Sequence, residues 1–396
     1  MLNSLRILAI EQYGAGPFGT QFLADMGAEV IKVETRSQGG DVGRTVGPAW
    51  LGDGDPSARS VFFQGLNRGK KSITLDLSRP EGQEVLLKIL TGCDAVMSNL
   101  RGDVPAKLGL TYDALKDKFP KIVCAHLTGY GREGERAHWP GYDFLMQAEA
   151  GYFDLTGEPG SAPARAGLSL VDLMTGSVLS MALLAAVMSA RENGRGRDVD
   201  VSLFDLALYN LNYVGHWYLN NQIETTRLAR SAHASLTPCQ LYRTGDGWIY
   251  LMCNKEKFWR VLCEKMGCIT WIDDARFLTF TERLAHRDLL TTLIDEALSA
   301  RSTAEWMALF QGHVPAAPIL DVKQALDNPW VRDNGRLELQ PLPGGQPFHY
   351  ITPPIRYADR VPPGLAPALG QHTDEVLTRA GLSAPEIAQL RAQGVI

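Results

Sequence analysis

The first 200 residues alternate short apolar runs with amphipathic stretches, and this alternation restricts the fold more than any other feature. LRILAIE reads as a strand, GAGPFG as a turn, and TQFLADMG as the helix that follows. AEVIKVE and KSITLDL are the next two strands, and a helix starts at Ser78-Arg79-Pro80 and runs through EGQEVLLKIL. DAVMSNL is a fourth strand, TYDALKDKFP a helix, and KIVCAHLTGYG a fifth strand. Strands separated by helices of this length need crossover connections, so the sheet is expected to be parallel. The expected class is α/β, with a Rossmann-like large domain. Gly167 to Met188 opens with a short apolar run around one acid, Asp172, and continues as a long apolar helix up to the ENGRGR turn. Near residue 225 the texture changes. CQLYRTGDGWIYLMC reads as a hairpin turning at Thr244-Gly245-Asp246-Gly247, and helical patterns follow from Lys255 to Phe310. The expected domains are therefore 1–224, a smaller α+β domain at 225–325, and a return to the large domain at 326–396.

Composition narrows the class of function. A chain of 396 residues with 45% hydrophobic and 21% charged residues is ordinary globular material for two or three domains. A net charge of -5 supplies no global field for nucleic acid or anionic lipid. Six cysteines without a CxxC, and without histidines at zinc spacing, suggest reduced thiols and no metal site. MLNSLRILAIEQ lacks a signal-peptide pattern, and the most apolar stretch, Val178 to Met188, reads as too short to span a bilayer. A cytoplasmic location without membrane or nucleic-acid partners is the expectation.

Gly14, Gly16 and Gly19 form a G-x-G-x-x-G between a strand and a helix, with Glu34 at the end of the next strand. That is the dinucleotide fingerprint, in which glycines approach a pyrophosphate and an acid holds the ribose. Pro17 removes one of the N–H donors such a cradle uses. The alternative is that the glycines allow a tight turn and close packing of helix on sheet. A dinucleotide-dependent oxidoreductase stays open at this point.

Several stretches, in order, resemble the class III CoA-transferase (CaiB/BaiF) family: GAGPFGTQFLADMGAEVIKVE, NRGKKSITLDL, SNLRGD, HLTGYGREG, GYDFLMQAEAG, LVDLMTG, GRGRDVDVSLFD, VPAAPI and LGQHTDEVL. The resemblance covers essentially the whole chain. It implies acyl-CoA as the bound cofactor-substrate, an interlocked homodimer, and a large domain built from both ends of the chain. It also implies that Asp172, in LVDLMTG, is the catalytic carboxylate. Read from its surroundings alone, Asp172 is an acid among apolar neighbours at a helix start. That fits either a costly buried carboxylate or a plain N-cap.

The resemblance also suggests contacts with CoA from Gly14, Ala15, Arg36, Asn99, Arg101 and Lys107. Arg68, Lys70 and Lys71 are weaker candidates beside a solvated-turn reading. Racemase members use a histidine where this chain has Tyr142 in Gly141-Tyr142-Asp143, and a phenol is a poor base near pH 7. A 2-methylacyl-CoA racemase-like enzyme is thus the lesser alternative. Gly141 could offer backbone near the site, Asp143 could hold geometry or cap the FLMQAEAG helix, and His126 reads as a satisfied strand residue. Similarity leans toward members that use succinyl-CoA and small dicarboxylates of the glutarate, malate, citramalate, mesaconate or itaconate type. A far carboxylate needs a cation, for which Arg44, Arg59 and His233 are candidates against a surface or interface role.

Overall fold

The computed structural model describes residues 1–52, 55–342 and 347–396. Six parallel strands form the main sheet: β1 (Arg6–Ile10), β2 (Glu29–Glu34), β3 (Lys71–Thr74), β4 (Ala95–Ser98), β5 (Val123–Thr128) and β6 (Arg197–Ser202). Their order is β3-β2-β1-β4-β5-β6. Chain order reverses direction between β1 and β4, which opens a crevice at the carboxyl ends of those two strands. The central strands are apolar on both faces because helices cover both.

Two helices matter for the site. Helix α1 (Ala15–Asp25) follows β1, and helix α3 (Leu170–Asn193) lies beside it; the short helix α2 (Asp143–Glu149) precedes α3. The backbones of α1 and α3 touch. A Cβ on Gly19 would lie 2.5 Å from the Gly176 carbonyl oxygen, and one on Gly176 would lie 2.3 Å from that of Ala15. Ser180 then donates from Oγ to the Gly19 carbonyl at 2.7 Å. The third glycine of the fingerprint therefore serves helix packing.

By length and composition α3 is long enough and apolar enough to cross a membrane. It extends beyond the Val178–Met188 stretch at both ends, because Asp172 and the polar Arg191-Glu192-Asn193 end are helical too. Here one side of it is core: Val171, Leu179, Leu183 and Val187 are buried.

Chain contacts divide the protein into two compact units. The larger holds 1–150, 166–212 and 335–396; the smaller holds 151–165 and 213–334. Against boundaries read at 225 and 325, the smaller unit starts at Tyr213, ends at Asn334 and also takes 151–165. The C-terminal segment belongs to the large unit, where Val376, Leu377, Ile387, Val395 and Ile396 join the core beneath β2 and β3.

In the smaller unit β7 (Cys239–Arg243), β8 (Trp248–Met252) and β9 (Ala316–Pro318) form an antiparallel sheet. The expected hairpin turn is present, with Thr244 N–H donating to the Gly247 carbonyl at 3.0 Å. Helices Glu256–Met266, Arg287–Leu298 and Thr303–Phe310 pack on it around Trp259, Trp306 and Phe310. The architecture is thus a large parallel-sheet α/β domain with a smaller α+β domain.

Candidate active site

A cleft of about 480 Å³ occupies the crevice at the carboxyl ends of β1, β4 and β5. Gln12 to Ala15 enter it from β1, Asn99 to Arg101 from β4, and Leu127 to Gly129 from β5; Trp139 to Tyr142, Asp172, Val42 and Leu203 complete its wall. Gly129 and Gly141 press together there, since a Cβ on Gly141 would lie 2.4 Å from the Gly129 Cα. Gly141 is thus a packing glycine that also faces the cleft.

Asp172 is the third residue of α3 and only 8% exposed. Its backbone N–H does not serve its own carboxylate. It donates instead to Asp143 Oδ2 at 2.8 Å. Asp143 is buried as well, and its Oδ1 accepts from Gln147 Nε2 at 2.6 Å. Asp143 therefore caps α3 from the start of α2, an arrangement that holds geometry around Asp172. The Asp172 carboxylate itself has no hydrogen-bond partner among the described residues. Burial, and secondarily the negative charge of Asp143, raise its pKa from 3.8 to about 7.

The open side of Asp172 is made by Gly14, where a Cβ would lie 2.7 Å from Asp172 Oδ2. Gly14 is also the N-cap of α1. The first N–H groups of a helix have no partner inside it, so this end can stabilise developing negative charge. A desolvated carboxylate facing a helix amino end is a competent nucleophile toward a thioester carbonyl.

The other sequence candidates divide clearly. Gly14, Ala15, Asn99 and Arg101 line the cleft, whereas Arg36 and Lys107 lie outside its lining. Arg101 and Lys107 both bind Asp103, at 2.6 and 2.5 Å, and hold it far below the usual carboxylate range. Arg36 is exposed just after β2. Arg68 and Lys70 are buried, with Lys70 Nζ on Glu11 at 2.7 Å, and Lys71 pairs with Glu29 and Glu375.

Arg44 is corrected as a substrate residue. It is 2% exposed, its Nε and Nη2 bind Glu34, and its Nη1 donates to the Ser57 and Pro367 carbonyls. That pairing also removes the dinucleotide reading of Glu34, whose oxygens further accept from Asp41 N–H and Ser72 Oγ. Arg59 lies outside the cleft lining, with Nε donating to the Leu51 carbonyl at 3.0 Å. His233 belongs to the smaller unit, in a separate cavity of about 470 Å³ beside Tyr213.

His126 is satisfied on both ring nitrogens, by Ser98 Oγ at 2.9 Å and Asp198 Oδ1 at 3.1 Å. Tyr142 is 62% exposed at the rim, and no buried histidine takes the racemase position. Sequence reasoning missed Tyr13 and Trp139 on the cleft wall. Their only sequence signal is an aromatic residue next to a glycine or proline turn.

Comparison with known proteins agrees with this geometry. The family model for CoA-transferase family III matches residues 2–373. A succinate–glutarate CoA-transferase of Agrobacterium fabrum is 33% identical, over 95% of this chain and 94% of that one. A succinyl-CoA:mesaconate CoA-transferase of Haloarcula marismortui is 31% identical over 96% of each. The crystal structure of a CaiB/BaiF family protein from Brucella suis superposes with a TM-score of 0.80 at 31% identity, covering 95% of this chain and 98% of that one. A chain with this sheet, this cleft and these relatives belongs to the class III CoA-transferases, the CaiB/BaiF family.

Proposed function

We propose that this CoA-transferase moves CoA from succinyl-CoA to a small dicarboxylic acid, with Asp172 as the nucleophile. The observation that carries the reading is the state of Asp172: buried, without a hydrogen bond on its carboxylate, opened by Gly14 and raised to about pKa 7. The relatives that act on glutarate and mesaconate support the substrate class.

The steps follow from a buried carboxylate at the wall of a cleft. Asp172 attacks the thioester carbonyl of the donor, the C–S bond breaks, and CoA thiolate leaves behind an aspartyl–succinyl anhydride. The thiolate attacks the aspartyl carbonyl, succinate departs, and an aspartyl-CoA thioester forms. The acceptor carboxylate attacks that thioester and expels the thiolate. The thiolate then takes the acceptor's acyl group from the new anhydride and frees Asp172. A thioester is consumed and a thioester is made, so the transfer is near energetic balance provided water stays out. Gly14 and Ala15 at the α1 end would face each oxyanion.

Of the three cation candidates for the far carboxylate, Arg44 is engaged in the fold, and Arg59 and His233 both lie outside the cleft that Asp172 lines. A homodimer is part of the same proposal, supported by a row of exposed methionines along α3, Met174, Met181 and Met188.

The test is an acyl-CoA transfer assay by liquid chromatography and mass spectrometry, with succinyl-CoA against a panel of four- to six-carbon dicarboxylic acids. New acyl-CoA is expected with the native chain and none with Asp172→Ala. An active Asp172→Ala variant would remove the nucleophile assignment. Absence of product from every acid would remove the dicarboxylate reading.

A further inference from the structure

The loop that carries β1 into α1 is gripped at three successive residues by side chains from elsewhere. Glu11 is buried, with its carboxylate on Lys70 Nζ at 2.7 Å and Thr20 Oγ at 2.8 Å. Its carbonyl accepts from Lys32 Nζ at 2.8 Å. Tyr13 sits in the left-handed region at φ +66°, a conformation that bulky residues adopt only when held. Its N–H donates to Asp41 Oδ1 at 2.9 Å, and Asp41 is itself fixed by Gly43 N–H at 2.7 Å and Lys32 Nζ at 2.8 Å.

Between them lies Gln12, and both of its backbone polar groups go to one side chain. The Gln12 N–H donates to Asn99 Oδ1 at 2.9 Å, and the Gln12 carbonyl accepts from Asn99 Nδ2 at 2.7 Å. A single amide that accepts from and donates to the same residue fixes that residue's orientation, and only one flip of the amide permits both bonds. Neither aspartate nor leucine at this position could make the pair. Gly16 makes room for it: a Cβ there would lie 2.8 Å from both Cβ and Cγ of Asn99. The middle glycine of the fingerprint is therefore a glycine on behalf of Asn99.

We propose that Asn99 is a positioning residue, whose amide clamps Gln12 so that Gly14 stays against the Asp172 carboxylate. This rests on the reading of Asp172 as the nucleophile. It replaces the expectation that the Asn99 side chain serves mainly as a CoA contact. The two roles differ in where they are felt. A ligand contact is felt in the affinity for CoA. A clamp is felt in the order of the loop before any CoA arrives, and in kcat afterwards.

The experiment uses the full chain with Asn99→Ala and, independently, Gly16→Ala, which pushes the Asn99 side chain away without altering its chemistry. Amide hydrogen exchange at Gln12 and Tyr13 is followed in CoA-free protein, CoA affinity is measured by calorimetry, and kcat and KM come from the transfer assay. Both variants are expected to speed exchange at Gln12 by at least about tenfold and to lower kcat by roughly a hundredfold, the scale of a misplacement near 1 Å. CoA affinity should change by less than about threefold. Unchanged exchange at Gln12 in both variants would overturn the clamp, as would a loss of CoA affinity with exchange unaltered. The Asp172→Ala control separates the two readings. Transfer by that variant would overturn the nucleophile, while the exchange data would still decide whether Asn99 clamps the loop.

Discussion

At the scale of single residues, the site depends on a carboxyl group kept where its charged form is disfavoured. The sign of the effect on stability follows directly. The unfolded chain releases the Asp172 proton near pH 3.8, whereas the folded chain retains it up to about pH 7. Between those values the folded state binds the extra proton, so stability falls as pH rises through this window and is level above it. Asp172→Asn removes that penalty. Its gain over the native chain should be nil at pH 4 and complete above pH 7, at most about 4 kcal/mol. Asp143→Asn, which removes the second cause of the shift, should narrow the window from its upper end. Chemical denaturation across pH 4–8 checks both, and a gain independent of pH would contradict the buried-carboxyl account. The acid among Leu170, Val171, Leu173 and Met174 marked Asp172 in the sequence, but its surroundings fitted a buried carboxylate and a plain N-cap alike, and only the family resemblance implied a catalytic role. Arg44 misled because an arginine in a loop reads the same whether it meets solvent or Glu34. No local pattern announces that Asp143 will cap a helix that begins 27 residues later.

At the scale of elements, the three glycines have three separate jobs, and none of them needs a pyrophosphate. Gly14 opens Asp172, Gly16 admits Asn99, and Gly19 lets α1 meet α3 at Gly176. The motif itself was plain in the sequence, as were β1, β4 and β5, because buried parallel strands are continuous apolar runs; β6, RDVDVS, is largely half-buried or exposed and carries no such run. The partners of the glycines were not, since Asn99 and Gly176 come from distant elements. Gly176→Ala tests the helix contact. The new methyl group would lie 2.3 Å from the Ala15 carbonyl oxygen, and backbone on both sides gives it nowhere to go. A loss of roughly 1–3 kcal/mol is expected, from overpacking and a shift of α1. Because Ala15 adjoins Gly14, transfer activity should fall as well, even at temperatures where the variant is fully folded. Thermal melts paired with the transfer assay would decide this; a variant with native stability and native kcat would mean that the two helices can separate at no cost to the site.

At the scale of the whole molecule, α3 joins the candidate site to a surface. Its first turn carries Asp172, one flank is core, and Met174, Met181 and Met188 recur at seven-residue intervals along the other. A spacing of seven returns to nearly the same helix face, so these side chains form one apolar stripe. Met181 and Met188 are 66% and 71% exposed in the single chain. Such a stripe on a long helix is characteristic of a face that is buried against something. The homodimer proposal commits to a second copy of this chain as the cover. Sedimentation should then give a particle of twice 43.4 kDa. Methionine oxidation gives the sharper test, because a thioether reacts with peroxide according to its exposure. Met1, 70% exposed, provides an internal standard. In the native protein, sulfoxide at Met181 and Met188 should form many times more slowly than at Met1, and the three rates should converge in denaturant. Equal rates in the native state would leave the stripe open to solvent and exclude a dimer formed through α3.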